Sequence, residues 1–192
     1  MMLTLMGIGL FASHAKEPSA NTKPAEPTAP PISESKPTPK IEPAESGPVA
    51  VEQRDEFIRH GWSFSLPENE AGIVSALGPA TKIGRRQVEN KYTAGQMDES
   101  VELHYDGLLV GLYKGGGTEM FTEVLVTDSQ HPVQHSLGVG TSADRITKLF
   151  GKPDEAIGDT LAYSTSLSGY EAVHFKISDG RIESIDWTKQ IE

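Results

Sequence analysis

The fold is decided by the stretch Val101-Glu102-Leu103-His104-Tyr105-Asp106-Gly107-Leu108-Leu109-Val110. Apolar residues at 101, 103 and 105 alternate with polar ones, which is the pattern of a strand with one buried face. Asp106-Gly107 is a two-residue turn signal between strands. Further apolar runs follow at 108–113 and 120–126. This part of the chain therefore predicts antiparallel strands with one side in a core.

Similar signals recur 73 residues apart along the chain. The segment 70–79 matches 143–153, with Ile73 equivalent to Ile146 and Gly78 equivalent to Gly151. At the same spacing, Asp179-Gly180 repeats the turn signal Asp106-Gly107. A fixed spacing of this size indicates an internal duplication. We predict two repeats, at about 62–128 and 137–190.

Each repeat is predicted to be a helix followed by three strands. In the second repeat, Ile146, Leu149 and Phe150 fall on one helical face, Thr141 is the expected N-cap, and Gly151 ends the helix. The expected strands lie at 161–163, 173–177 and 181–188. The predicted fold class is α+β, with two tandem helix-plus-antiparallel-strand repeats and the helices packed on one face of an antiparallel sheet.

A helix that ends in Leu/Phe-Gly before a proline, followed by a strand meander and given twice, resembles two known families. These are the β-lactamase-inhibitor protein and the SmpA/BamE outer-membrane assembly lipoproteins. The most similar piece is 137–153, and the resemblance covers roughly residues 62–190. It implies a tandem-repeat fold and a role in binding another protein rather than in catalysis.

The N-terminal part of the chain indicates export. An apolar run at 2–11 and small residues up to Ala15 are typical of a secretory signal, although no Lys or Arg precedes the run. Whether the signal is cleaved or retained as an anchor, and where the true start lies, stay open. Residues 16–50 hold nine of the chain's 13 prolines and predict a disordered, proline-rich tether. The folded domain is expected at 51–192, and the expected location is periplasmic or secreted.

Composition excludes several classes of function. The net charge is −10 and no basic run exceeds Arg85-Arg86, so nucleic acid and anionic membrane surfaces are not expected partners. The chain has no cysteine, which excludes disulfides, thiolate chemistry and lipidation on Cys. We expect no membrane insertion of the mature domain.

Three short motifs are explained more simply by local structure than by chemistry. Gly138-x-Gly140-x-x-Ala143 fits a dinucleotide fingerprint but lacks the buried strand that should precede it. His131 and His135 have the spacing of helical metal ligands, yet Pro132 between them indicates a loop. The glycines at 115–117 indicate a hairpin turn. We therefore predict no cofactor, no metal and no catalytic residue.

The polar side of the predicted sheet is the candidate site. Aromatic and charged residues on an uncovered sheet face form a plausible protein-binding surface. The candidate residues are Glu102, His104, Tyr113, His174, Lys176 and Trp187. Of these, Trp187 has an ambiguous facing, as does Trp62 outside the set.

The sequence favours a non-enzymatic periplasmic or secreted module that binds another envelope or secreted protein, of the inhibitor, immunity or envelope-assembly type. One alternative is a periplasmic hydrolase that uses the sheet-face histidines, which requires His104 and His174 to converge with an acid. Another is a small-ligand carrier with a closed apolar cavity between helices and sheet.

Overall fold

A computed structural model describes residues 49–166 and 169–191. The predicted signal segment and nearly all of the predicted tether lie outside these residues. The described chain contains three α-helices and eight β-strands. They are α1 Val51–His60, α2 Glu70–Leu77, β1 Lys82–Glu89, β2 Met97–Tyr105, β3 Leu108–Gly115, β4 Thr118–Val126, α3 Asp144–Phe150, β5 Glu155–Ile157, β6 Thr160–Ser164, β7 Glu171–Ser178 and β8 Arg181–Lys189.

The strands form one antiparallel sheet in the order β1-β2-β3-β4-β8-β7-β6-β5. Two four-strand meanders, β1–β4 and β5–β8, therefore meet through their last strands. The β4–β8 ladder is short and pairs Glu123–Val126 with Ile185–Thr188. Short turns with positive φ at Gly107 and at Asp179-Gly180 close two of the hairpins, as the sequence predicts.

The core lies on one face of this sheet, because apolar residues stay in register from β2 to β6. One cross-strand row is Leu103, Val110, Val124, Trp187, Val173 and Tyr163. The next row is Tyr105, Leu108, Val126, Ile185, Phe175 and Leu161. Nearly all of these side chains are buried, and they belong to a single apolar cluster.

All three helices contribute side chains to this cluster. Phe57 of α1 is fully buried, with its ring centroid 4.9 Å from that of Phe150 in α3 and 5.8 Å from that of Trp187. Ile73 of α2 and Ile146 of α3 are also fully buried. The indole Nε1–H of Trp187 donates to the carbonyl of Phe57 at 3.0 Å, which ties α1 to β8. The predicted mixed α+β class is confirmed, although the sheet is the dominant element.

Three elements were not predicted. β1 and β5 are the two edge strands, and most of their residues are exposed, so neither shows alternation between apolar and polar residues. Each meander therefore has four strands instead of the predicted three. Helix α1 was missed because its sequence, VEQRDEFIRH, buries few apolar side chains, mainly Phe57 and Ile58.

Positions 73 residues apart occupy equivalent places in the helices but not in the strands. Helices α2 and α3 end alike, at Gly78 and Gly151, which both have positive φ. The turn at Asp106-Gly107, however, joins the second and third strands of its meander, whereas Asp179-Gly180 joins the third and fourth.

The predicted N-cap at Thr141 is wrong. Helix α3 begins at Asp144 after Ala143, which makes no side-chain cap. The hydroxyl of Thr141 points instead to the carbonyl of Ser136, at 3.4 Å.

Truncation of Phe57 tests whether α1 is an integral part of this core. Because Phe57 is fully buried among aromatic rings, Phe57→Ala should lower the free energy of unfolding by about 3–5 kcal/mol. Val51→Ala is the matched control on the same helix, where the side chain is 56% exposed and a change within about 0.5 kcal/mol is expected. Equal losses in urea titrations of the two variants would contradict the proposed packing.

Candidate functional site

The face of the sheet opposite the core carries no described helix, and we call it the open face. One cross-strand row on it is Glu102, Gly111, Glu123, Thr188, Ala172 and Ser164. The adjacent row is His104, Leu109, Leu125, Asp186, His174 and Ala162. Most of these residues are half-buried, so the face presents a mixed apolar and polar surface.

Five of the six predicted site residues lie on the open face, since they alternate with core residues along their strands. They are Glu102, His104, Tyr113, His174 and Lys176. Trp187 does not join them. Its side chain is 3% exposed and lies in the core, because β8 turns Ile185 and Trp187 toward the helices and Asp186 away from them. Trp62 is half-buried and packs edge-on against Trp187.

Glycine makes room for a carboxylate at the centre of the open face. Gly111 separates Glu102 from Glu123 in the cross-strand row. A Cβ at position 111 would lie 3.0 Å from the Cβ of Glu123, which is closer than side chains normally pack. Glu102 contacts the imidazole of His104 at 3.5 Å. The two carboxylates and this histidine therefore form one polar area on β2 and β4.

Tyr113 is held in place by a buried carboxylate. Its hydroxyl donates to Asp98, which is 5% exposed and also accepts from Asn90 at 2.6 Å and Gln96 at 2.8 Å. The hydrogen bond from Tyr113, with those from Gln96 and Asn90, lowers the pKa of Asp98. The same bond to the carboxylate raises the pKa of Tyr113. Tyr113 is therefore a fixed aromatic side chain on the open face.

Glu123 and Asp186 are diagonal neighbours across the β4–β8 ladder, where Glu123 lies opposite Thr188 and Asp186 opposite Leu125. Burial raises the pKa of Asp186 to about 7, and the charge of Glu123 adds to the shift. Burial likewise raises the pKa of Glu123, with a contribution from Glu102. The Oδ1 atom of Asp186 is buried and has no hydrogen-bond partner among the described residues. Carboxyl groups with pKa values raised in this way are frequent at functional sites.

The two sheet-face histidines do not converge. His104 on β2 and His174 on β7 are separated by β3, β4 and β8, a distance of roughly 19 Å at the usual spacing of strands. His174 instead lies opposite Asp186. It lines an open-face pocket of about 430 Å³, whose other lining residues include Ala162, Ala172 and Tyr170.

The short motifs occupy loops and turns. The imidazole Nε2 of His131 contacts the carbonyl oxygen of Asp106 at 2.8 Å, whereas the ring of His135 lies 5.9 Å from that of Phe57. Residues 115–118 form the turn that joins β3 to β4. In residues 49–166 and 169–191, no group of His, Asp and Glu side chains is arranged to hold a metal ion. None of the helices there has the length and hydropathy of a membrane span.

The sequence interpretation missed the centre of the open face. Leu109, Leu125, Glu123 and Asp186 meet there, and each lies on a strand whose existence was predicted. The signal was present in the alternation of β8, where Ile185, Asp186 and Trp187 must face opposite sides in turn. This alternation alone does not say which side of β8 is buried, because that depends on whether Trp187 faces the core. The contact of β4 with β8, which decides it, has no sequence signature.

Comparisons with known proteins yield only distant structural similarity. No protein-family model matches the chain, and no curated protein matches it. A DUF4309 family protein (YjgB) from Bacillus subtilis is 13% identical, with a TM-score of 0.41 over 73% of this chain and 95% of that one. The uncharacterized protein YfeY from Escherichia coli is 18% identical, with a TM-score of 0.37 over 67% and 94%.

An extracellular protein containing an SCP domain, from Bacillus anthracis, is 9% identical, with a TM-score of 0.32 over 81% of this chain and 50% of that one.

Replacement of Asp186 by Asn tests the electrostatics of the open face. A carboxyl whose pKa rises from 3.8 in the unfolded chain to about 7 stabilises the fold fully below pH 3.8 and loses that contribution as the pH rises through 7. Asp186→Asn should therefore be more stable than the wild type at pH 8, by roughly 1 to 4 kcal/mol, and equal to it near pH 4.

Urea titrations across this pH range measure the difference. Asp159→Asn, at an exposed turn, is the control and should track the wild type at every pH. A difference between Asp186→Asn and wild type that does not change with pH would contradict the assigned burial of this carboxyl.

Proposed function

We propose that this protein binds another envelope or secreted protein through its open face and has no catalytic activity of its own. The observation that carries the proposal is the composition of that face. Leu109 and Leu125 lie opposite each other at its centre, flanked by His104 on one side and Asp186 on the other. Apolar residues surrounded by polar ones are typical of protein interfaces.

The dimensions of the open face support the same proposal. Eight strands at the usual spacing span roughly 34 Å, and strands of eight or nine residues are about 26 Å long. A surface of this size matches the ~800 Å² that each partner contributes to a standard interface. Tyr113, fixed by Asp98, supplies a rigid aromatic contact of the kind that dominates binding energy.

We also propose that the domain consists of two tandem repeats and that it is periplasmic or secreted. The repeat proposal is supported by helices that end alike at Gly78 and Gly151, each followed by a four-strand meander. The resemblance to the β-lactamase-inhibitor and SmpA/BamE families points the same way. The proposed location is supported by the apolar run at 2–11 and the proline-rich segment after it.

The hydrolase alternative keeps one supporting observation. His174 lies opposite Asp186 beside the 430 Å³ pocket, and an acid with a pKa near 7 suits proton transfer. A hydrolase that uses both sheet-face histidines in one site is disfavoured, since His104 lies four strands from His174. The small-ligand carrier is supported only by the smaller pocket described below.

A co-purification experiment tests the proposed function. The 192-residue chain is used as bait in envelope extract of its native cells, and one stoichiometric protein partner is expected. Leu125→Lys should reduce recovery of this partner at least tenfold, because it places a charge at the centre of the interface. The new ammonium lies opposite Asp186, so the variant should stay folded.

Ile83→Lys is the matched control, on an exposed residue of β1 that points to the core side of the sheet. It should recover the partner as the wild type does. Recovery of no stoichiometric protein by the wild type, or equal loss for the two variants, would contradict binding through the open face.

A further inference from the structure

A pocket of about 100 Å³ opens where the β4–β8 ladder stops. The last pair of the ladder is Glu123 with Thr188, although β4 extends back to Thr118. Three aromatic rings line the pocket. Trp62 packs edge-on against Phe121 at 5.8 Å and against Trp187 at 5.7 Å, measured between ring centroids. The rings lie on the helix side of the sheet, whereas Glu123 and Thr188 belong to the open face, so the lining includes residues from both sides at the point where the two strands part.

The charged side chains around this pocket are unevenly paired. Glu171 contacts both of the lining cations, Arg59 at 3.2 Å and Lys189 at 3.3 Å. Glu68 and Glu123 also line the pocket, and neither has a hydrogen bond or ion pair with any residue in the described part of the chain. The lining therefore carries two carboxylates without an ion-paired cation, of which Glu68 is exposed and Glu123 is half-buried, with His104 as the cationic group that lowers the pKa of Glu123.

Glu123 and its neighbour Asp186 differ from the other buried and half-buried carboxylates because they lack a hydrogen-bond donor or an ion-paired cation. Every other buried or half-buried carboxylate in residues 49–166 and 169–191 accepts a hydrogen bond from a described donor or forms an ion pair with a described cation. These carboxylates are Asp55, Glu70, Asp98, Glu99, Glu119, Asp128 and Glu171. Partly buried carboxylates without a donor are costly, so this position favours an incoming cation.

We propose that this pocket receives a lysine or arginine side chain of the partner, an inference that rests on the protein-binding function proposed above. Aromatic faces attract organic cations, and a nearby carboxylate adds a direct charge interaction. The ring of Trp62 and the carboxylate of Glu123 supply these two contacts. The small volume suits the end of one side chain. The partner segment that meets the β4–β8 ladder is therefore basic.

The inference can be tested without the partner, with capped single amino acids as probes. The probes are N-acetyl-arginine methylamide, its lysine analogue and the uncharged norleucine analogue. The chain has two tryptophans, Trp62 and Trp187, so two indole N–H signals report on the pocket by NMR. At low ionic strength the two cationic probes should shift the Trp62 signal with saturation. Norleucine should bind at least tenfold more weakly.

Two variants test separately the contributions of the Glu123 carboxylate and of the Trp62 ring to probe binding. Glu123→Gln should weaken binding of both cationic probes at least fivefold and leave the weak norleucine binding unchanged. Trp62→Leu should abolish saturable binding, with the Trp187 signal still reporting. Glu183→Gln, on an exposed carboxylate that pairs with Lys176 on β7, is the matched control and should behave as the wild type. Equal binding of norleucine and arginine probes would overturn the inference in favour of an apolar anchor.

Failure of the basic-anchor inference can be distinguished from failure of the proposed protein-binding function. If the bait recovers a partner whose affinity is unchanged by Glu123→Gln but lost with Leu125→Lys, the function stands and the basic-anchor inference is wrong. If the cationic probes bind as described but no partner is recovered, the pocket assignment stands and the protein-binding function is wrong.

Discussion

Four residue pairs between β4 and β8 hold the two meanders of this sheet in register. Because Val124 lies opposite Trp187 and Val126 opposite Ile185, the apolar rows continue without a break from β2 to β6. A slip of one residue in this ladder would turn the apolar set of one meander toward solvent. The single core and the position of all three helices on one side depend on this register.

The same register determines what the other side of the sheet presents. Since Val124, Ile185 and Trp187 face the helices, the intervening Glu123 and Asp186 must face outward, next to Leu125. Their carboxylates are brought together half-buried and without donors among the described residues. Burial of Asp186 raises its pKa to about 7, so ionisation of this carboxyl opposes folding as the pH rises through neutrality. Perturbed carboxyl groups of this kind are consistent with the proposed binding role.

Local features of this fold were predictable from sequence, and long-range ones were not. Alternation at Val101, Leu103 and Tyr105 and the turn at Asp106-Gly107 predicted a hairpin correctly, and Gly151 marked the end of α3. Edge strands β1 and β5 escaped notice, since solvent on both faces removes the need for alternation. Trp187, whose facing the sequence left ambiguous, was included among the candidate residues although it lies in the core, and Asp186 was overlooked, for one reason. The facing of β8 depends on its contact with β4, more than 55 residues earlier in the chain.

The proposed protein-binding function requires that the open face, and no other surface of the domain, contacts the protein partner. Site-specific photocrosslinking in the native cells tests it most directly, with a photoreactive phenylalanine analogue placed at Leu125 in one strain and at Ile83 in another. One discrete crosslinked protein is expected from position 125 and none from position 83, which points to the core side of the sheet. No crosslinked protein from position 125, or the same protein from both positions, would contradict it.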